Sequence, residues 1–168
     1  LSKFVRANFF RPDSRKYSRP FARSKALRLI HEERFDAIIT TGPPHSTHLI
    51  GLDLQRRTGI PWLADFRDPW TTIYYNRFLP RSRRTVLKDR SMEDAVVKNA
   101  DAVVAISATF ADQLRDRSEN VRLVLNGYDP SDLTEAKPPQ NEKFTLAYVG
   151  NFKPNQDVPA LWSLLAEM

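Results

Sequence analysis

The sequence contains no cysteine. That excludes disulfides and thiolate metal sites, and it suits a reducing, cytosolic setting. No apolar run approaches the roughly 20 residues of a membrane span. The basic, aromatic start lacks the apolar stretch of a signal peptide. Three loops that announce their chemistry are also missing. There is no G-x-G-x-x-G dinucleotide fingerprint, no G-x-x-x-x-G-K-[ST] P-loop and no G-x-S-x-G nucleophile elbow. Three histidines, His31, His45 and His48, stand without cysteines and do not make a zinc site. No internal repeat or low-complexity tract is present.

What is there fits one ordinary domain of average apolar content: 168 residues with a formal net charge of +6. The charge is unevenly spread. Residues 1–28 hold nine Lys/Arg against the single acid Asp13, and residues 77–90 hold six against Asp89. The rest of the chain is net acidic. Two basic segments on an acidic body suit an anionic partner such as phosphate, lipid head groups or nucleic acid, or else form a solvated basic face.

The most informative stretch is Phe35 to Trp70, FDAIITTGPPHSTHLIGLDLQRRTGIPWLADFRDPW. Ala37 to Ile39 reads as a buried strand, ended by Thr40-Thr41-Gly42-Pro43-Pro44 because prolines cannot donate ladder bonds. Ser46 is the expected N-cap of a helix over Thr47 to Arg57, with Leu49, Ile50, Leu52 and Leu54 on its apolar face. Gly59 suits the left-handed residue after a helix. Ile60 to Phe66 is a second strand, ending in Arg67-Asp68-Pro69-Trp70. Strands joined by a helix run parallel, so both loops leave one edge of the sheet, where ligands bind in open α/β folds.

The flanking chain continues the pattern. Residues 1–24 show no clear period, apart from a turn at Arg11-Pro12-Asp13-Ser14. Ser24 to Arg34 reads as a helix with Ala26, Leu27, Ile30 and His31 on one face. Arg81 to Asn99 reads as a long helix with Val86, Leu87, Met92, Val96 and Val97 as its apolar positions. Ala102 to Ile106 is a third strand, Thr109 to Arg117 a helix and Val121 to Leu125 a fourth strand. Asn126-Gly127 suits positive φ. Pro-containing residues 136–142 form the best linker. Phe144 to Val149 then restarts as a strand, followed by a helix from Asp157 to Met168. The expected division is therefore a partial first domain over 1–135, a linker over 136–142 and a truncated second domain over 143–168. Nothing before Ala37 supplies an opening strand with a Gly-rich turn. The chain starts at Leu1 and stops at Met168 in mid-helix, so both ends read as cut. An oligomer formed through truncated surfaces is a further expectation.

Two constellations carry the chemistry. Asp65, Arg67 and Asp68 lie at a strand's carboxyl end. The arginine can fork onto a carboxylate or phosphate, and a carboxylate can accept from sugar hydroxyls. The same residues can instead brace the loop as an internal ion pair. Trp70 offers either a stacking surface or a core side chain. Across from them, His45, with the backbone N–H groups of Ser46 and Thr47, begins a helix where an anion is stabilised. His48, inside the helix, reads as structural. Asn126, Gly127, Gly150 and Asn151 are weaker signals that flank the linker, where ligands favour domain interfaces.

Together these motifs resemble a known family. Thr40-Thr41-Gly42-Pro43-Pro44-His45-Ser46, Gly59-Ile60-Pro61 before a strand ending Asp65-Phe66-Arg67-Asp68-Pro69-Trp70, Ala100-Asp101 before Ala105-Ile106-Ser107, Asn126-Gly127-Tyr128-Asp129, and Tyr148-Val149-Gly150-Asn151 occur in the order and spacing of bacterial retaining glycosyltransferases. The group is the GT-B type, family four in the sequence-based classification, and the surface-polysaccharide branch is the most similar. The resemblance implies an α/β, Rossmann-like parallel sheet with flanking helices. That is a partial GT-B fold, holding the late part of the N-terminal domain and the first βα unit of the C-terminal one.

The resemblance also implies a nucleotide-sugar donor held by the second domain and a saccharide or lipid-linked acceptor held by the first, with neither metal nor cofactor. By position, Gly42, His45, Ser46, Asp65, Arg67, Asp68 and Trp70 fall on the acceptor side. Asn126, Gly127, Gly150 and Asn151 fall on the cleft or donor side. Many relatives carry His where this chain has Arg67. The paired glutamates of the family's donor site have no counterpart in the sequence. Cytoplasmic placement at the inner face of the membrane goes with such acceptors, and the Arg77 to Arg90 segment with its aromatic neighbours suits contact with anionic lipid. The competing reading is a basic α/β binding module for nucleic acid or anionic lipid. Nucleic acid is the less expected partner, because the special loops lie outside the basic segments.

Overall fold

The computed structural model describes residues 2–132, 143–152 and 156–167. The chain separates into two compact units, residues 1–127 and 128–168. The expected linker, 136–142, lies outside the described residues.

The first unit is built on four parallel strands in the order β1-β2-β3-β4: β1 (Ile38–Gly42), β2 (Trp62–Phe66), β3 (Ala102–Ala105) and β4 (Val121–Leu123). Helix α3 (Ser46–Thr58) joins the first pair, α4 (Arg83–Asn99) the second and α5 (Ala108–Arg115) the third. Each crossover steps the same way across the sheet. Connections of a single hand then put every joining helix on one face. Burial agrees. Thr40, Trp62, Ala64, Phe66, Val103 and Ala105 face the helices and are buried, whereas Ile39 and Thr41 on the other face are exposed. The α/β, Rossmann-like arrangement expected from the sequence is the one the chain adopts. Its core lies between the sheet and one helical layer, where fully buried Trp62, Phe66, Val96, Val103 and Leu114 each contribute about 1.5–3 kcal/mol.

Several boundaries differ from expectation for physical reasons. Strand β1 does not stop at Thr40. Thr40, Thr41 and Gly42 pair with Ala64, Asp65 and Phe66, because β-branched threonines suit a strand and proline begins only at 43. In α4 the inward stripe is Thr85, Asp89, Glu93, Val96 and Val97, while Val86 and Leu87 are exposed. The first half of that helix therefore buries polar groups. Gly59 ends α3 at φ 70° as expected, its N–H bonding the Gln55 carbonyl at 2.8 Å. Gly127 has no positive φ, so Asn126-Gly127 is not the turn its composition suggested.

The N-terminal segment, formless in the sequence, contains α1 (Ser2–Phe9), a 3-10 turn over Ser14–Ser18 and α2 (Arg19–Glu32). Helix α2 starts five residues before the expected Ser24 because Pro20 sits in its first turn, where a missing N–H costs nothing. His31 is exposed and does not join the half-buried Ala26, Leu27 and Ile30.

The second unit contains a 3-10 turn over Pro130–Asp132 and α6 (Pro159–Ala166). The strand expected over Phe144 to Val149 does not form, and Val149 is 97% exposed. A strand needs a partner for its N–H and C=O groups, and none is present among the described residues. No helix among the described residues is long and apolar enough to cross a membrane.

Candidate functional site

The β1–β2 ladder delivers both special loops to one edge, and the Arg67 N–H donates to the Gly42 carbonyl at 2.9 Å, tying them together. Beyond Gly42 the chain turns through two cis peptide bonds, Gly42–Pro43 and Pro43–Pro44. His45 then takes the N-cap position and Ser46 is the first helical residue. The cap therefore falls one residue earlier than expected.

The His45 ring stacks flat on Trp70, with centroids 5.1 Å apart and planes 2° from parallel. His48 stacks on Phe66 at 4.4 Å. Thr40 Oγ1 accepts from Trp62 Nε1 at 2.8 Å and shares a hydrogen bond with His48 Nδ1 at 2.9 Å, while His48 Nε2 is buried with no partner among the described residues. Burial, together with repulsion from His45, lowers the His48 pKa to about 3. Burial also lowers that of His45, opposed by the charges of Asp13, Glu93, Asp89 and Asp68. Both imidazoles are therefore neutral at neutral pH. His48 is structural, as its place in the helix suggested. Trp70 is 3% exposed and its face is taken by His45, so of its two readings the core one holds.

The helix N-terminus already has its anion. Asp13 Oδ2 accepts from the Ser46 N–H at 2.8 Å, and Asp13 Oδ1 accepts from the Ser46 hydroxyl at 2.9 Å. The expectation that Ser46 would meet an external anion is corrected: a carboxylate 33 residues upstream caps α3 instead.

Two more carboxylates hold the Trp70 loop from α4. Asp89 accepts from Trp70 Nε1 at 3.0 Å and pairs with Arg81. Glu93 accepts from the Thr71 hydroxyl at 2.5 Å and pairs with Arg117 at 3.1 Å. Sequence reasoning missed Asp13, Asp89 and Glu93. The available signal was a lone acid inside a basic run, which describes Asp13 and Asp89.

These groups border a cleft of about 570 Å³. Pro43, Pro44, His45 and Trp70 line it from the two loops, α1 supplies Lys3 and Arg6, and the residues after β2 supply Tyr75 and Phe78. The lining combines apolar groups, the cations Lys3, Arg6, Arg11 and Arg81, the carboxylates of Asp13 and Asp89 and a neutral imidazole, a mixture able to hold a polar ring or a charged group.

The other expected residues gather elsewhere. Asp65 and Arg67 alternate with Phe66 along the strand, so they project from the opposite face of the sheet. There Arg67 Nη1 lies 3.8 Å from Asp65 Oδ2, and Arg67 Nη2 donates to Asn126 Oδ1. The Asp65 Oδ1 atom is buried without a partner among the described residues. Asp68 is exposed and makes no hydrogen bond or ion pair among the described residues. The single constellation read from the sequence is therefore two. His45 and Trp70 line the cleft, whereas Asp65, Arg67 and Asn126 form a separate cluster at the same edge. Gly150, at φ 146°, and Asn151 are exposed in the second unit. Among the described residues no three potential ligand side chains gather as a metal site requires.

A family model described as a glycosyl transferase 4-like domain matches residues 4–128 of this chain. The matched span is nearly the whole first unit, and it contains every cleft residue except Lys3, and both clusters. None of the curated proteins matches the chain.

Proposed function

The chain belongs to the glycosyl transferase 4-like family, and from that premise we propose that its first unit is the acceptor side of a retaining GT-B glycosyltransferase of the surface-polysaccharide branch. The donor is a nucleotide sugar, held mainly by residues outside the first unit. The acceptor is a saccharide or a lipid-linked saccharide. The bond from the anomeric carbon to the diphosphate oxygen breaks, and a bond to an acceptor oxygen forms on the same face of the sugar. The acceptor's proton leaves with the diphosphate. No resident metal or cofactor enters this reading. Cytoplasmic placement at the inner face of the membrane goes with a lipid-linked acceptor.

The observation that carries the reading is the cleft at the carboxyl edge, lined by His45. A neutral imidazole can exchange hydrogen bonds with an acceptor hydroxyl, and the Trp70 stack fixes its ring plane. Asp68, exposed and without a hydrogen bond or ion pair among the described residues, is the acceptor-side carboxylate in this reading, accepting from sugar hydroxyls. Arg67, braced by Asp65 and Asn126, is a fixed guanidinium suited to a carboxylate or phosphate. Gly127, Gly150 and Asn151 remain donor-side candidates from the family resemblance alone.

The test is a transfer assay on the natural protein with a panel of nucleotide sugars and lipid-linked or free saccharide acceptors. A glycosylated product is expected with one pair, and replacing Arg67 or Asp68 by Ala should lower turnover. If no pair reacts and the protein instead retards random DNA or RNA in a salt-dependent manner, the basic binding module is the better account.

A further inference from the structure

Helix α1 is folded inside out. Its polar Asn8 is buried, whereas Phe4, Val5 and Phe9 are 47%, 40% and 61% exposed. A helix lying on a water-soluble surface normally does the reverse. Asn8 is fixed by its whole side chain. Its Nδ2 donates to the Pro80 and Phe4 carbonyls at 2.8 Å, and its Oδ1 accepts from the Ser82 N–H and the Thr85 hydroxyl at 2.8 Å. Arg11 donates to the same Thr85 hydroxyl at 3.0 Å. These bonds join the two basic segments of the sequence, which are far apart along the chain, into one surface.

The partner segment has the same character. The 3-10 turn Tyr74–Phe78 exposes Tyr74, Tyr75 and Phe78, followed by exposed Leu79. The Arg77 guanidinium lies 4.7 Å from the Phe78 ring centre. Lys3, Arg6, Arg83 and Arg84 form no ion pair among the described residues and are exposed. Lys3, Arg6, Tyr75 and Phe78 all line the cleft, so apolar and cationic groups from both segments share its wall.

We propose that α1 and the Tyr74–Arg84 segment together form a docking surface for an anionic phospholipid bilayer, beside the cleft that both help to line. The proposal rests on the reading of a membrane-borne acceptor for that cleft. Cations alone would suit nucleic acid equally. Val5 and Leu79 offer nothing for a base to stack on, whereas an acyl–headgroup boundary takes up aliphatic and aromatic groups alike while basic residues meet its phosphates. Each cation brought to an anionic surface strengthens binding by roughly fivefold.

The experiment is vesicle flotation of the 168-residue chain, with vesicles of phosphatidylcholine alone or mixed with phosphatidylglycerol. Binding is expected only with phosphatidylglycerol, and it should weaken with salt. Two double variants divide the surface: Phe4→Ser with Phe9→Ser, and Arg83→Glu with Arg84→Glu. Each should lower vesicle binding at least about tenfold, with helical signal and Tm retained. The apolar pair should leave the salt dependence unchanged, and the charge reversal should flatten it.

Wild-type binding that ignores phosphatidylglycerol would overturn the proposal, as would binding that neither variant reduces or that random oligonucleotide displaces. Transfer to a water-soluble acceptor by the natural protein separates the two claims. If such transfer persists without vesicle binding, the docking surface fails and the glycosyltransferase reading stands. If vesicles bind and no acceptor is glycosylated, the surface stands and the glycosyltransferase reading fails.

Discussion

Gly42 has no room for a side chain. A Cβ there would lie 2.5 Å from His48 Nε2 and 3.2 Å from His45 Nδ1. Gly42→Ala should displace both imidazoles and cost about 1–3 kcal/mol, seen as a lower Tm, with the His45–Trp70 stack disturbed. The histidines also make stability depend on pH. His48 titrates near 6.5 when unfolded and about 3 when folded, so between those values the unfolded chain binds the extra proton. Stability is then unaffected above about pH 7 and falls as the pH drops, by about 2 kcal/mol at about pH 5 from His48 alone. His45 shifts the same way and adds to the fall. Melting curves across this range should show the decline, and His48→Gln should flatten it. At this scale the sequence was legible where the reason is local: Gly59 past a helix end and His48 inside an apolar helix. Asp13 stood out only as a lone acid in a basic run, because nothing near it in sequence reveals that it caps a helix 33 residues away.

At the level of elements, periodicity identified the helices and misplaced their faces where polar residues are buried. In α4 the apolar period points Val86 and Leu87 inward, but Asp89 and Glu93 occupy the inner stripe because the Trp70–Thr71 loop and Arg117 need acceptors there. Glu93→Gln should therefore cost about 2–3 kcal/mol, since it leaves the Arg117 pair incomplete inside the core. Chemical denaturation measures this, and an unchanged midpoint would show that Asp94, 2.8 Å from Arg117, suffices alone. The edge clusters divide for a related reason. Strand alternation, visible in Asp65-Phe66-Arg67, sends the charged pair and the aromatic core to opposite faces. The two loops were correctly expected at one edge, but their side chains do not all meet. Helix α1 was invisible because its apolar residues face outward and give no inward period. The strand expected at Phe144 to Val149 fails for want of a partner among the described residues, which no local pattern reports.

Across the whole molecule, the parallel order of the sheet was implied once strand, helix and strand were read in sequence. Its one-sided helical layer follows from crossovers that always step the same way. That topology places the cleft and the Arg67 cluster at the carboxyl edge of the unit that carries the family match. The account assigns the acceptor to this unit and the donor to residues outside it. The sharpest check is steady-state transfer by the natural protein and its His45→Ala variant, with donor and acceptor each varied in turn. The account predicts that the acceptor KM rises at least about tenfold while the donor KM stays within about twofold. A donor KM that rises while acceptor saturation is unchanged would contradict it.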